Sequence, residues 1–158
     1  MRILRKVAGP LSLLALLVAC QTSSPSSTAI PGRGSITIQV EPNPIVATKV
    51  SGDTYDFPFE VVVRETGGRP VTINRVSVTV FAPGGFAVHR ENWDAERIRS
   101  MGYGTALAAN GELRYRFAPR KAVPDERLFD GVTAELRVNA VDDSGTPTEA
   151  TTNVTVRR

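Results

Sequence analysis

The sequence predicts an all-β fold: a single two-layer antiparallel β-sandwich of about seven strands, with one short helix near residues 92–100. Three observations predict it. From Ser35 onward, apolar and polar residues alternate in short runs. Successive strand side chains point to opposite faces, so such a run buries one side of a sheet and wets the other. Turn-forming clusters of Gly, Pro, Asp and Ser separate the runs. The chain is 41% hydrophobic over 158 residues, enough for one core, and half-buried sheets must cover each other.

The runs can be taken in order. "SITIQVE" sets Ile36, Ile38 and Val40 against Ser35, Thr37, Gln39 and Glu41. "TYDFPFEVVVRE" sets Tyr55, Phe57, Phe59, Val61 and Val63 against Asp56, Pro58, Glu60 and Arg64. Pro58 cannot donate to a ladder, which puts an edge position or a bulge there. "TGGRP" is a turn, its tandem glycines supplying positive φ. "VTINRVSVTVF" changes phase near Asn74 and Arg75, from Val71 and Ile73 to Val76, Val78 and Val80, as at a bulge or a crossing between sheets. "APGG" ends it. "ELRYRF" alternates Leu113, Tyr115 and Phe117 with charges, and "VTAELRVNAV" alternates from Val132 to Ala140 with Thr133, Glu135, Arg137 and Asn139. "DDSGT" is a hairpin signal, with Asp142 and Asp143 as turn formers, and "TTNVTVRR" is the returning strand. "APRKAVPDERLF", residues 118–129, is a mixed-charge segment expected to be a solvated connection.

On this strand spacing, Ser35 to Arg158 resembles bacterial immunoglobulin-like or fibronectin type III-like domains. It departs from antibody-type domains in lacking both core cysteines and a third-strand tryptophan. A transthyretin-like or jelly-roll sandwich would give a similar pattern.

Three segments are expected: 1–19, 20–34 and the sandwich at 35–158. The first has the three regions of a secretory signal peptide: Met1 to Lys6 is positive, Val7 to Val18 apolar, and Ala19 small at the exit. A permanent transmembrane helix needs about 20 apolar residues, more than lie between Lys6 and Ala19. The segment closes on Leu17-Val18-Ala19-Cys20, which resembles the lipobox of bacterial lipoproteins. That resemblance implies a diacylglycerol thioether on Cys20, cleavage between Ala19 and Cys20, and often acylation of the new amino group. One acyl chain binds a bilayer marginally, whereas two or three hold a protein there. Gln21 in place of Asp implies, in enteric bacteria, release toward the outer membrane. Residues 20–34, rich in Ser, Thr, Pro and Gly, read as a flexible tether.

Charge excludes one class of partner. Arg2, Arg5 and Lys6 are three of the 19 basic residues, and the 16 that remain balance the 16 acidic ones. A neutral domain without a basic run has no phosphate-binding footprint, so nucleic acid is not expected as a partner. One cysteine excludes an internal disulfide, and one cysteine with one histidine excludes a Cys/His metal cluster. The carboxylate pairs Asp53/Asp56, Asp125/Glu126 and Asp142/Asp143 lack EF-hand spacing. No metal and no cofactor is expected.

The candidate site is the irregular middle, "AVHRENWDAERIRSMGYG", residues 87–104, with the only His and the only Trp. As a binding loop, Trp93 would stack on a sugar or anchor a partner, with His89, Arg90 and Tyr103 beside it. As structure alone, Asn92 would cap a short helix from Trp93, plugging one end of the sandwich with Trp93, Ile98 and Met101 buried. His89 has no nucleophile motif to serve, so no enzyme is expected and no residue is assigned a catalytic role. The expected function is a non-catalytic binding module in a bacterial cell envelope, anchored to the lipid bilayer through Cys20. Its partner would be a protein or an envelope polysaccharide. A carbohydrate-binding module would need Trp93 and Tyr103 exposed on a common face. An enzyme or enzyme inhibitor would need His89 paired with a carboxylate in a cleft.

Overall fold

The computed structural model describes Pro31–Arg158. The expected signal peptide, the Ala19–Cys20 cleavage point and most of the tether therefore lie outside the described residues. No helix among those residues is long and apolar enough to cross a membrane.

Among the described residues there are twelve strands, most of the longer ones where alternation is found and the short ones in the connections. They are β1 (Ile36–Glu41), β2 (Ile45–Val46), β3 (Thr48–Ser51), β4 (Thr54–Asp56), β5 (Phe59–Glu65) and β6 (Val71–Phe81). After them come β7 (Ala87–Asp94), β8 (Ala106–Leu107), β9 (Glu112–Phe117), β10 (Arg120–Ala122), β11 (Thr133–Asp142) and β12 (Pro147–Arg157). One helix, α1 (Ala95–Ser100), follows β7, and a 3-10 turn spans Glu126–Phe129.

One sheet has the order β1-β5-β9 and the other β2-β12-β11-β6-β7, with β8 also on β6. All of these pairs are antiparallel except β2 with β12. A third, small sheet, β10-β4-β3, belongs to neither layer. The core between the layers contains Ile36, Val61, Tyr115, Ile73, Leu136 and Val138, all fully buried. Val62 is also fully buried, although alternation turns it to the outer face. Its neighbours in register are Gln39 and Arg114, and on that face Arg114 and Arg116 both pair with Glu60. The stems of such long side chains cover apolar surface while their heads stay wet.

Three local expectations change in detail. The run around Pro58 is two strands: β4 goes to the small sheet and β5 to the main one. Phe57 still donates its N–H, to Pro119 O at 3.0 Å, but Pro58 has none to give, and the ladder stops there. The phase change in β6 is a bulge, because β11 passes from Asn139 opposite Arg75 to Ala140 opposite Ile73 and leaves Asn74 unmatched. Of the tandem glycines only Gly68 has positive φ. Gly67 is needed for closeness instead: a Cβ there would lie 1.8 Å from Arg33 O.

The layers differ in length, and this shapes the functional end. β6, β11 and β12 have 11, 10 and 11 residues, whereas β1, β5 and β9 have 6, 7 and 6. A four-residue overhang is about 13 Å at strand rise. At the end where β5 starts and β9 stops, the long sheet runs on without an opposite layer. The small sheet and the 3-10 turn sit there instead, fixed by Phe129 against Tyr55 (ring centroids 5.1 Å) and Phe57 (6.2 Å).

Candidate functional site

Beneath that cover lies a cavity of about 340 Å³ with a predominantly apolar lining. Phe59, Val78, Val80 and Ala134 come from the main sheets, and Lys121 and Phe129 from the cover. Its size is at the lower end for small-molecule sites, which are mostly apolar with a few placed polar groups. Two large apolar side chains at it are exposed, Val88 at 62% and Leu128 at 43%.

The polar groups come from β7 and β10. β7 is the last strand of its sheet and pairs only with β6. In that register Trp93 stands opposite Val76, Glu91 opposite Val78 and His89 opposite Val80. The three residues therefore share the inner face. Trp93 falls where the opposite sheet is present and is buried against Phe117 at 4.2 Å between centroids. His89 and Glu91 fall beyond it and line the cavity.

Glu91 is the hub. Its Oε2 lies 3.2 Å from Lys121 Nζ and 3.6 Å from His89 Nε2, and its Oε1 accepts from Arg97 Nη2 at 3.2 Å. The contacts at Oε2 are ion-pair distances without hydrogen-bond alignment, so His89 Nε2 and Glu91 Oε2 are both buried and unsatisfied as hydrogen-bonding atoms. Burial pushes the Glu91 carboxyl up, but Lys121, His89 and Arg97 outweigh it and hold the carboxyl below its ordinary range. Glu91 is thus an anion facing two permanent cations.

The predicted site residues are not brought together. Strand alternation turns His89 and Trp93 inward and Arg90 outward, where Arg90 borders a polar groove with Arg75 and Arg137. The expected irregular loop is a strand for its first half. The helix cap is Asp94, not Asn92: its side chain accepts from Arg97 N at 2.8 Å, so α1 starts two residues later than expected. Ile98 is buried as expected, while Met101 is 41% exposed. Tyr103 seals a sheet edge: its hydroxyl donates to Arg116 O at 3.3 Å and accepts from Arg116 N at 3.2 Å. With Trp93 at 3% exposure, Trp93 and Tyr103 form no solvent-facing platform.

Residues 118–129 are a further correction. The expected solvated connection contains β10 and the 3-10 turn, and supplies Lys121 and Phe129 to the cavity. Its signal was faint but present, since Val123, Leu128 and Phe129 are more apolar residues than a wet loop needs.

No family model matches the chain, and no curated protein matches it. Among solved structures it is similar to the ApaA protein from Bordetella pertussis, at 16% identity and TM-score 0.57, over 82% of this chain and 99% of that one. It is also similar to a structural-genomics target at 10% identity and TM-score 0.52, over 81% of this chain and 90% of that one. These likenesses show the fold and nothing beyond it. The strand order itself is that of an immunoglobulin-like β-sandwich: β1, β5 and β9 in one sheet take the places of strands A, B and E, and β6, β7, β11 and β12 in the other those of C, C′, F and G.

Proposed function

We propose that this chain is a lipid-anchored, non-catalytic binding module of a bacterial cell envelope. The observation that carries the reading is Leu17-Val18-Ala19-Cys20, placed after a basic and then an apolar segment and containing the only cysteine. The sandwich supports the binding half of the reading, through a ligand-sized cavity on a rigid scaffold. A tether of about 14 residues gives a root-mean-square reach on the order of 20 Å, which raises the local concentration of the module near its bilayer. Gln21 favours the outer membrane. The test is metabolic labelling with radioactive palmitate: label is expected on the wild-type chain and absent from Cys20→Ala. Equal labelling of both chains, or of neither, sinks the anchor. Protease treatment of intact and lysed cells then separates a surface location from a periplasmic one.

A catalytic reading has one observation in its favour, the His89–Glu91 approach inside the cavity. Among the described residues no Ser, Thr or Cys lines that cavity. This reading requires conversion of a bound ester by the purified protein, lost in His89→Gln.

A further inference from the structure

The cavity and its polar wall specify a ligand more closely than a binding module requires. The body of the site is apolar: Phe57, Phe59, Val78, Val80, Phe129 and Val132 line it, and water held there would find few partners. The charged residues of the lining are on one side only, His89 and Glu91 from β7 and Lys121 from β10. Counting Arg97, which engages the far oxygen of Glu91, two permanent cations face one carboxylate. Arg97 lies outside the lining, where Lys121 and Glu91 balance, but with Glu91 Oε1 taken by Arg97 the Lys121 ammonium, its side chain 39% exposed, is the charge that reaches both the cavity and solvent. His89 Nε2 and Glu91 Oε2 are inaccessible and lack hydrogen-bond partners. Inaccessible atoms cannot meet a ligand, so the charged group of this wall that can do so is the Lys121 ammonium. Val88 and Leu128, exposed where apolar side chains are costly, form the entrance.

We infer that the cavity binds a single-chain amphiphile with an anionic head, its tail among Phe59, Val80 and Phe129 and its head on Lys121. The head takes a share of the Lys121 ammonium. A cationic head would meet the ammonium directly, and a neutral one would leave its charge unused. The inference deepens the binding-module reading by naming the ligand class, but it does not need the anchor. Palmitate labelling tests one and ligand titration the other.

The experiment uses the full-length protein in phosphatidylcholine nanodiscs, with methyl-labelled Val and Leu and empty nanodiscs to correct for partition. Decanoate, decanol and decyltrimethylammonium are titrated below their micelle concentrations. Decanoate is expected to shift the methyls of Val80, Val88 and Leu128 saturably while leaving Val62 in place. Lys121→Gln is expected to weaken decanoate at least fivefold and decanol less than twofold. Val80→Phe, which fills the cavity, is expected to remove binding of both. Should that variant misfold, the Lys121→Gln comparison decides alone. No saturable shift in the wild-type protein would overturn the site. Tighter binding of the cation, or equal loss of decanoate and decanol in Lys121→Gln, would overturn the anionic head.

Discussion

Glu65 is a buried carboxylate surrounded by backbone donors. It accepts N–H groups from Ser35 (3.2 Å), Gly67 (2.7 Å), Gly68 (2.9 Å) and Asn110 (2.9 Å), and so ties the start of β1 to the turns after β5 and before β9. Burial pushes its pKa up, but the four donors win and hold the carboxyl below its ordinary 4.5. Asp142 follows the same logic: the Ser144 hydroxyl first, then the N–H groups of Thr146, Gly34 and Ser144, hold it far below 3.8. A folded value below the unfolded one stabilises above the unfolded value and is lost as pH falls through the folded value. Stability should therefore be flat from neutral pH to about 5 and decline below it, read by urea midpoints across that range. Glu65→Gln should cost about 2 to 3 kcal/mol at pH 7, by loss of charged acceptance of buried donors, and should flatten the acid slope. Gly67→Ala should lower the melting temperature through its collision with Arg33 O, although its φ is ordinary. The sequence shows two glycines and a turn. Which of them needs left-handed backbone and which needs mere closeness depends on Arg33, 34 residues earlier and just ahead of β1, beyond any local pattern.

At the scale of elements, β1, β9 and β11 match their alternating runs nearly residue for residue, because each has one face against the core and one against water, while β12 starts at Pro147, four residues before its run. β7 was harder to see. Its inner face carries His89, Glu91 and Trp93, so two of three core-phase positions are polar and the strand does not alternate in hydropathy. Inward charges on an edge strand also discourage pairing with other chains. The cover over the cavity escaped for a related reason: β3, β4 and β10 have 4, 3 and 3 residues, too few to show a period. These short pieces are held by Phe129 against Tyr55 and Phe57, with Val123 N donating to Asp53 O at 2.7 Å. Phe129→Ala should destabilise the whole chain by less than the 3 to 5 kcal/mol of a fully buried Phe, since Phe129 is only half-buried. It should raise amide exchange at residues 120–129 while β6 and β11 stay protected, as measured by mass spectrometry.

For the whole molecule, the two-layer fold and the location of the core were legible from patterning, because burying one face of each strand leaves few other arrangements. The site was not, because it arises from a difference in strand length between the layers. Trp93 lies inside the layered region, and its fluorescence should be blue-shifted and barely quenched by acrylamide, a result that strong quenching would contradict. The chain enters the fold at Gly34, whose N–H binds Asp142 at the end of β11, and Ser35 binds Glu65 at the end of β5. The cavity is built from the start of β5 and the start of β11. Entry point and cavity thus occupy opposite poles, about ten residues or some 33 Å of strand apart. A leash fastened at the first pole would leave the second pointing away from whatever surface holds it. If the proposed anchor at Cys20 is that leash, an occupant would arrive from the aqueous side, already released from any bilayer.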